Sequence, residues 1–363
     1  MRKTVFHSRL SLRNAALSKT VCRVTCNRVA AKYLATVHVS MQQLGISRLC
    51  LNSNERGSNS MKHLLKLLDL STEDITSILD LGDQLKYERK HGIPHKLLEG
   101  KSVGLIFQKS STRTRVSFET GVYQLGGQGL FLSSRDLQIG RGEPVQDTAR
   151  VLSRYLDGIM IRTYAQQEVE DLAKYGSIPV INGLTDFCHP CQVLADLMTI
   201  REHYGVLDGL KLCYIGDGDN MANSLIVGGL KTGMQVAVAT PKAYRPADSV
   251  LDFASDYAGF MLTGDPKEAI AEADVVITDT WASMGVESEK EARIRAFQGY
   301  QVNAELMQLA KPGAMVQHCL PAYRGQEITD DVFEAHADEI FEEAENRLHV
   351  QKAVMVKLMG NQA

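Results

Sequence analysis

An α/β fold of two doubly wound parallel-sheet domains, joined by long helices and with the active site in the cleft between them, is what this sequence predicts. Short apolar runs alternate with longer helical patterns, the rhythm of βαβ units. That rhythm occurs in two sets, one before and one after a long helical segment at residues 190 to 204. A chain of 363 residues with 44% hydrophobic content is long enough to bury two cores.

In chain order, Ser71 followed by Asp74 makes a capping-box start. Ile75, Ile78, Leu79 and Leu85 then share one helical face, and the pattern stops before Gly92 and Pro94. Strands are expected at Val103-Gly104-Leu105-Ile106-Phe107, at Gly158-Ile159-Met160-Ile161 and at Ile178-Pro179-Val180-Ile181. Beyond the joining helix, the second set is expected at residues 210 to 215, 236 to 239, 275 to 278 and 315 to 316. The first domain is taken as residues 61–200, completed by a C-terminal helix at 344–360, and the second as residues 201–343.

Composition excludes several classes. The formal net charge is -3 and the part from Met61 onward is acidic, which speaks against a nucleic-acid partner. No stretch approaches the roughly 18 apolar residues of a membrane span. Seven cysteines thinly spread along the chain do not resemble a secreted disulfide framework, so a reducing compartment is expected. Residues 1–60 are set apart as a leader: the first 54 hold nine Lys or Arg and no acid. Two readings fit them, an organelle transit peptide or text upstream of a true start at Met61. The first implies a mitochondrial matrix or plastid location, the second a cytoplasmic one.

Ligands of parallel sheets bind beyond the carboxyl ends of strands, so the residues after each apolar run carry the chemistry. After the first run come Ser110, Ser111, Thr112, Arg113, Thr114 and Arg115, opening a helix. Hydroxyls, free backbone N–H groups and guanidinium groups at a helix N-terminus suit phosphate, although a helix cap with two surface arginines uses the same residues. Cys188-His189-Pro190-Cys191-Gln192 opens the joining helix; its Cys-x-x-Cys spacing lacks the second pair that zinc would want. His189 and Gln192, three apart, could together reach a bound carbonyl, and a plain capping role for the His-Pro start fits the spacing equally. Gly216-Asp217-Gly218-Asp219-Asn220-Met221 invites a dinucleotide reading and fails it: Met221 stands at the third glycine position, and the strand ending near Thr240 carries no acid for a ribose. Asp279 follows another strand, where its acid could hold an ammonium, with Gly285 letting a loop close. His318-Cys319-Leu320-Pro321 ends the last strand. Taken singly, an Asp or Cys at a strand end is more often structural.

As a set, these segments resemble the aspartate and ornithine carbamoyltransferase family from residue 61 to about 360. Ser111-Thr112-Arg113-Thr114 and His189-Pro190-Cys191-Gln192 look like its carbamoyl phosphate motifs. Asn220, Asp279 with Ser283-Met284-Gly285, and His318-Cys319-Leu320-Pro321 look like its ornithine branch, and Glu345-Asn346-Arg347 also fits. The resemblance implies a transferase that moves the carbamoyl group of carbamoyl phosphate to the δ-amine of L-ornithine, giving citrulline and phosphate. It implies that Ser111, Thr112, Arg113 and Thr114 cradle the phosphate, and that Arg162, His189 and Thr114 polarise the carbamoyl oxygen. Gln192 with the carbonyls of Cys319 and Leu320 would hold the carbamoyl amine, and Arg347 would close the site. Gln138 would reach in from a neighbouring subunit of a homotrimer. Asn220, Ser283 and Met284 would take the amino-acid end of ornithine, and Asp279 beside Cys319 its side-chain amine. No metal or organic cofactor is implied. One departure is Asp219, where the family often has Asn. Competing readings are a carbamoyltransferase for putrescine or an acylated ornithine, and a non-catalytic amino-acid-binding α/β protein.

Overall fold

The computed structural model describes residues 61–138, 142–282 and 289–360. The leader expected at residues 1–60 lies outside the described residues, as do Ser283, Met284 and Gly285.

Two sheets form, each with every strand pair parallel. The first contains β1 (Ser102–Phe107), β2 (Gln128–Ser133), β3 (Gly158–Arg162) and β4 (Val180–Leu184) in the order β2-β1-β3-β4. The second contains β5 (Lys211–Ile215), β6 (Gln235–Ala239), β7 (Phe260–Thr263), β8 (Val275–Thr278) and β9 (Met315–His318) in the order β7-β6-β5-β8-β9. Residues of β3, β4, β8 and β9 are buried throughout, because helices cover both faces of a parallel sheet. This is why β3 and β8 stand out as apolar runs, while β4 and β9 also bury Asn182, Gln317 and His318. β2 and β7 are edge strands whose side chains are half-buried or exposed, so they lack such runs and escape the sequence reading. β4 starts at Val180, two residues later than expected, since Pro179 precedes it without a ladder N–H.

In each sheet the strand order reverses once. The chain leaves β1 for β2 on one side and returns to β3 on the other, which opens a crevice between β1 and β3. The second sheet does the same between β5 and β8. Phe107 pairs with Arg162 and Ile215 with Thr278, so the residues leaving these four strand ends are brought side by side.

The helices repeat the sequence logic. Ser71 and Asp74 form a reciprocal capping box for the helix Thr72–Lys90, whose Ile75, Ile78, Leu79 and Leu85 are all buried. The connecting helix spans Pro190–Tyr204, and Pro190 through Ile200 are buried. The C-terminal helix runs from Ala337 to Met359, longer than the segment expected at 344–360. Its Val350, Ala353, Val354 and Met355 join a core that also holds Ile75, Leu105, Met160, Leu197 and Tyr214, so one apolar cluster reaches from the first sheet through the connecting helix to the second. A polar node built on the buried Lys86 and Asn346 ties three helices together: Lys86 Nζ donates to Glu202 (2.8 Å) and Asn346 (2.8 Å) and pairs with Glu342, while Asn346 Nδ2 donates to Thr199 Oγ1 (2.8 Å) and to Glu202 (2.7 Å). Among the described residues no helix is long and apolar enough to cross a membrane.

Close approach fixes one glycine. A Cβ on Gly228, in the helix Asn220–Lys231, would lie 2.7 Å from Val193 and 3.3 Å from Leu197 of the connecting helix. Gly228→Ala gains about 1 kcal/mol of helix propensity and meets an overpacking cost of about 1–3 kcal/mol. The melting temperature is therefore expected to fall in differential scanning calorimetry; a rise would show that the two helices separate freely.

Candidate active site

The strand ends of both sheets open into one cleft of about 650 Å³. From the first sheet it receives Ser111, Thr112, Arg113, Thr114 and Arg162; from the start of the connecting helix, His189. From the second sheet come Asn220, Asp279, Cys319 and Leu320, and from the C-terminal helix Arg347.

The phosphate-motif residues sit where β1 hands over to the helix Thr112–Gln124. Ser111 is its N-cap and accepts from Thr114 N (3.2 Å), leaving further N–H groups of the first turn facing outward. Thr114 Oγ1 lies 3.5 Å from Arg162 Nη1 and 3.3 Å from Arg347 Nη2. Three guanidinium groups, Arg113, Arg162 and Arg347, therefore share one end of the cleft. Among the described residues none of the three has a carboxylate partner within ion-pair distance, in contrast to Arg201, which binds Asp80 and Asp83. Burial, reinforced by Arg347, pulls the Arg162 guanidinium down to about 10, and its Nε lacks a partner. Arg162 stays charged near neutral pH and is left wanting an anion.

His189 occupies the N-cap position of the connecting helix, but its side chain makes no capping bond. Its backbone N–H donates to Ser224 Oγ (2.8 Å), and Nδ1 is buried without a partner. Burial, then Arg347 and Arg162, hold its pKa well below the ordinary value, so it is a neutral imidazole beside cations. Its imidazole is therefore not engaged in capping the helix. Gln192 stands one layer behind the cleft, its Oε1 accepting from Arg347 Nη1 (2.6 Å).

The opposite wall is acidic. Asp279 is buried, which raises its carboxyl pKa; Thr280 N donates to it (2.6 Å), and the Cys319 thiol hydrogen-bonds to it. Burial and the neighbouring Asp279 carboxylate push the Cys319 thiol far up, so it is not a thiolate nucleophile. Asp279, His318 and Cys319 bring donor atoms within 4.8 Å of one another. Both His318 ring nitrogens are already engaged, Nε2 with Glu327 (3.1 Å) and Nδ1 with Leu320 N (2.9 Å), which leaves an acid–thiol pair rather than a three-ligand metal site. Leu320 has φ 56°, a left-handed conformation rare for non-glycine residues and concentrated at functional turns.

Asn220 lines the cleft while its Nδ2 donates to Thr185 O (2.7 Å), joining the two halves. Asp219 serves as N-cap of its helix, accepting from Met221 N. Gln138 is exposed just after β2 and does not line the cleft of its own chain. Cys188 and Cys191 are buried and free, their thiols raised to about 12 by burial, consistent with packing rather than redox chemistry.

Sequence reasoning missed other lining residues. Lys109 stands two residues after β1 and pairs with Asp186; the strand-end rule could have found it. Asp217 pairs with Arg293, which also donates to Trp281 O (3.3 Å). Arg293 lies on a short helix with no motif around it, so no local signal pointed to it.

A cationic pocket on one sheet faces a buried acid on the other, and the comparisons with known proteins divide the chain the same way. The aspartate/ornithine carbamoyltransferase profile for the carbamoyl-P binding domain matches residues 62–202, and that for the Asp/Orn binding domain residues 208–358. An ornithine carbamoyltransferase of Caldicellulosiruptor saccharolyticus is 57% identical over 301 residues, 82% of this chain and 98% of the relative. One from Geobacter metallireducens is 55% identical over 300 residues, 82% of this chain and 99% of the relative. The solved ornithine carbamoyltransferase of Pyrococcus furiosus superposes with a TM-score of 0.79 at 51% identity, covering 83% of this chain and 98% of that one. With the two profiles together matching most of the chain and the strand-end motifs meeting in one cleft, this chain belongs to the aspartate/ornithine carbamoyltransferase family.

Proposed function

We propose that the chain is an ornithine carbamoyltransferase, transferring the carbamoyl group of carbamoyl phosphate to the δ-amine of L-ornithine. The observation that carries this is the cluster of Arg113, Arg162 and Arg347 without carboxylate partners, facing the buried Asp279 across the cleft. The first suits a dianionic phosphate next to a carbonyl, the second an amine. Relatives at 52–57% identity that are named ornithine carbamoyltransferases support the choice of acceptor over putrescine or an acylated ornithine.

In this reading residues 61–200, with the C-terminal helix, bind carbamoyl phosphate and residues 201–343 bind ornithine. Ser111, Thr112, Arg113 and Thr114 hold the phosphate; a guanidinium grips it through parallel hydrogen bonds. The δ-nitrogen attacks the carbamoyl carbon, the C–N bond forms, the C–O bond to phosphate breaks with its electron pair leaving on phosphate, and the nitrogen sheds a proton. Negative charge growing on the carbamoyl oxygen is met by Arg162 and the neutral His189, donors already in place. Gln192, Cys319 and Leu320 take the carbamoyl amine. Asp279 beside Cys319 orients the δ-amine, while Asn220, Ser283 and Met284 take the amino-acid end. Two substrates held in one cleft supply the remaining gain by proximity.

The same reading includes a homotrimer. Val116, Tyr123 and Phe131 are large apolar residues exposed on the helix Thr112–Gln124 and the edge strand β2, a surface suited to another copy, and Gln138 follows that strand. Gln138 then serves the neighbour's cleft. The reduced, buried cysteines fit a cytoplasmic protein if translation starts at Met61.

Citrulline formation tests the reaction directly. The δ-ammonium has a pKa near that of lysine, about 10.4, so the neutral fraction and the rate should rise, toward about tenfold per pH unit, between pH 6 and 8. Citrulline formation flat across that range would mean that amine deprotonation does not govern the rate. Asp279→Asn should cut kcat/KM for ornithine by about 100-fold or more, with carbamoyl phosphate binding by calorimetry within about threefold; equal loss of both would make Asp279 structural. Mixing Gln138→Ala with Arg162→Ala subunits, each nearly inactive alone, should restore about one quarter of wild-type sites in closed trimers. Hybrid trimers confirmed by native mass spectrometry but still inactive would remove Gln138 from the shared site.

A further inference from the structure

Two buried carboxyls lie behind the cleft and take no part in the steps above. Asp196 is on the connecting helix and Glu343 on the C-terminal helix, 1% and 2% exposed. Between them sits the side-chain amide of Gln192. Its Nε2 donates to Asp196 Oδ1 (2.8 Å) and to Glu343 Oε1, which uses both amide hydrogens. The amide oxygen is thereby left to face Arg347 (2.6 Å), which itself lines the cleft. Without the two acids the amide could turn over and present N–H groups to the Arg347 guanidinium and to any carbamoyl amine, donors against donors.

Two ionised carboxylates sharing one amide nitrogen in a dry site repel each other, and one proton between them removes that cost. One oxygen is left free to share it. Both Glu343 oxygens already accept from elsewhere, Oε1 from Gln192 and Oε2 from His318 N (3.1 Å). Asp196 Oδ2 is buried with no other donor, and the two carboxyls hydrogen-bond to each other in the sense that raises Glu343 and lowers Asp196, so the proton is held mainly by Glu343 and shared toward Asp196. The groups facing the pair are Arg347 from the C-terminal helix and Asp279 from the end of β8; burial outweighs the guanidinium and raises both acids, Asp196 to about 7 and Glu343 well above the usual carboxylate range.

We infer that Asp196 and Glu343 form a singly protonated carboxyl pair whose work is to fix the polarity of the Gln192 amide, so that its oxygen, and with it Arg347, is correctly presented to the carbamoyl group. They are positioning residues for the site, and the inference rests on the carbamoyl-transfer reading of the cleft only for its consequence, not for the proton.

Infrared spectroscopy of the wild-type protein at pH 7.5 tests the proton without substrate. The carbonyl-stretch band of a protonated carboxylic acid should be present and should disappear in Asp196→Asn. For function, Asp196→Leu should lower kcat/KM for carbamoyl phosphate on the order of 100-fold, as misplaced catalytic groups do, with KM for ornithine within about threefold. Asp196→Asn keeps an acceptor oxygen for Gln192 and offers Glu343 an N–H in place of the shared proton, and should recover at least about tenfold of that loss. No protonated-carboxyl band in the wild type, or an Asn variant as impaired as the Leu variant, overturns the inference. If Asp196→Leu does not fold, the band and its loss in Asp196→Asn decide alone. A wild-type protein that makes no citrulline would instead remove the transferase reading, with the infrared result standing apart from it.

Discussion

Unbalanced positive charge is the constraint to which the rest of the molecule answers. Arg162 and Arg347 are both held within reach of one hydroxyl, Thr114 Oγ1, Arg113 lines the same cleft, and among the described residues no carboxylate pairs with any of the three. A buried cation without a partner is costly, commonly several kcal/mol after relaxation. Such an arrangement persists only if the surrounding structure over-determines it. Here each arginine comes from a different element: Arg113 from a helix N-terminus, Arg162 from the end of β3 and Arg347 from the C-terminal helix. The cost is offset elsewhere, by one continuous apolar core and by the Lys86–Glu202–Asn346 node. The site is prepared for an anion because a stable frame holds it in an unfavourable electrostatic state.

Topology explains why the frame can aim both halves at one place. A parallel sheet delivers its strand ends to the same edge, and a single reversal of strand order opens a gap there. Two such sheets set against shared helices bring their gaps together, so the anion-seeking half and the acidic half face each other without a long loop. The connecting helix serves both, contributing His189 at its start and Gln192 one turn in. Asp196, one further turn along, extends the same axis inward.

Most of the fold was legible because parallel sheets leave strong marks: β1, β3, β5, β6 and β8 each hold an apolar run, β9 is marked by Met315-Val316, and residues 190 to 204 carry a clear start in Pro190. β2 and β7 were illegible because these two edge strands, unlike β4 and β9, bury only part of their side chains, and Phe131 or Met261 facing outward destroys the pattern. Within the site, Arg113, Arg162, His189 and Asp279 stood out because strand ends and motifs announce them. Arg293 did not, since it arrives by a reach of 76 residues to Asp217, a relation no window can see. Asp196 and Glu343 look in sequence like ordinary helix acids; only their near-zero exposure reveals that they are interior groups.

The C-terminal helix has a consequence for how the molecule comes into being. It supplies Val350, Ala353, Val354 and Met355 to the same core that receives Leu64 and Ile75 from the beginning of the described fold, and it carries Arg347. The first sheet therefore cannot finish its own interior while the ribosome is still making the second. During synthesis the early half waits with an open apolar seam, the situation in which large proteins recruit chaperones or form traps. Contacts this distant in sequence also slow folding. Catalytic competence is consequently tied to completion: a chain broken before the last helix, however well its sheets assemble, lacks both the keystone of its core and one of its three guanidinium groups.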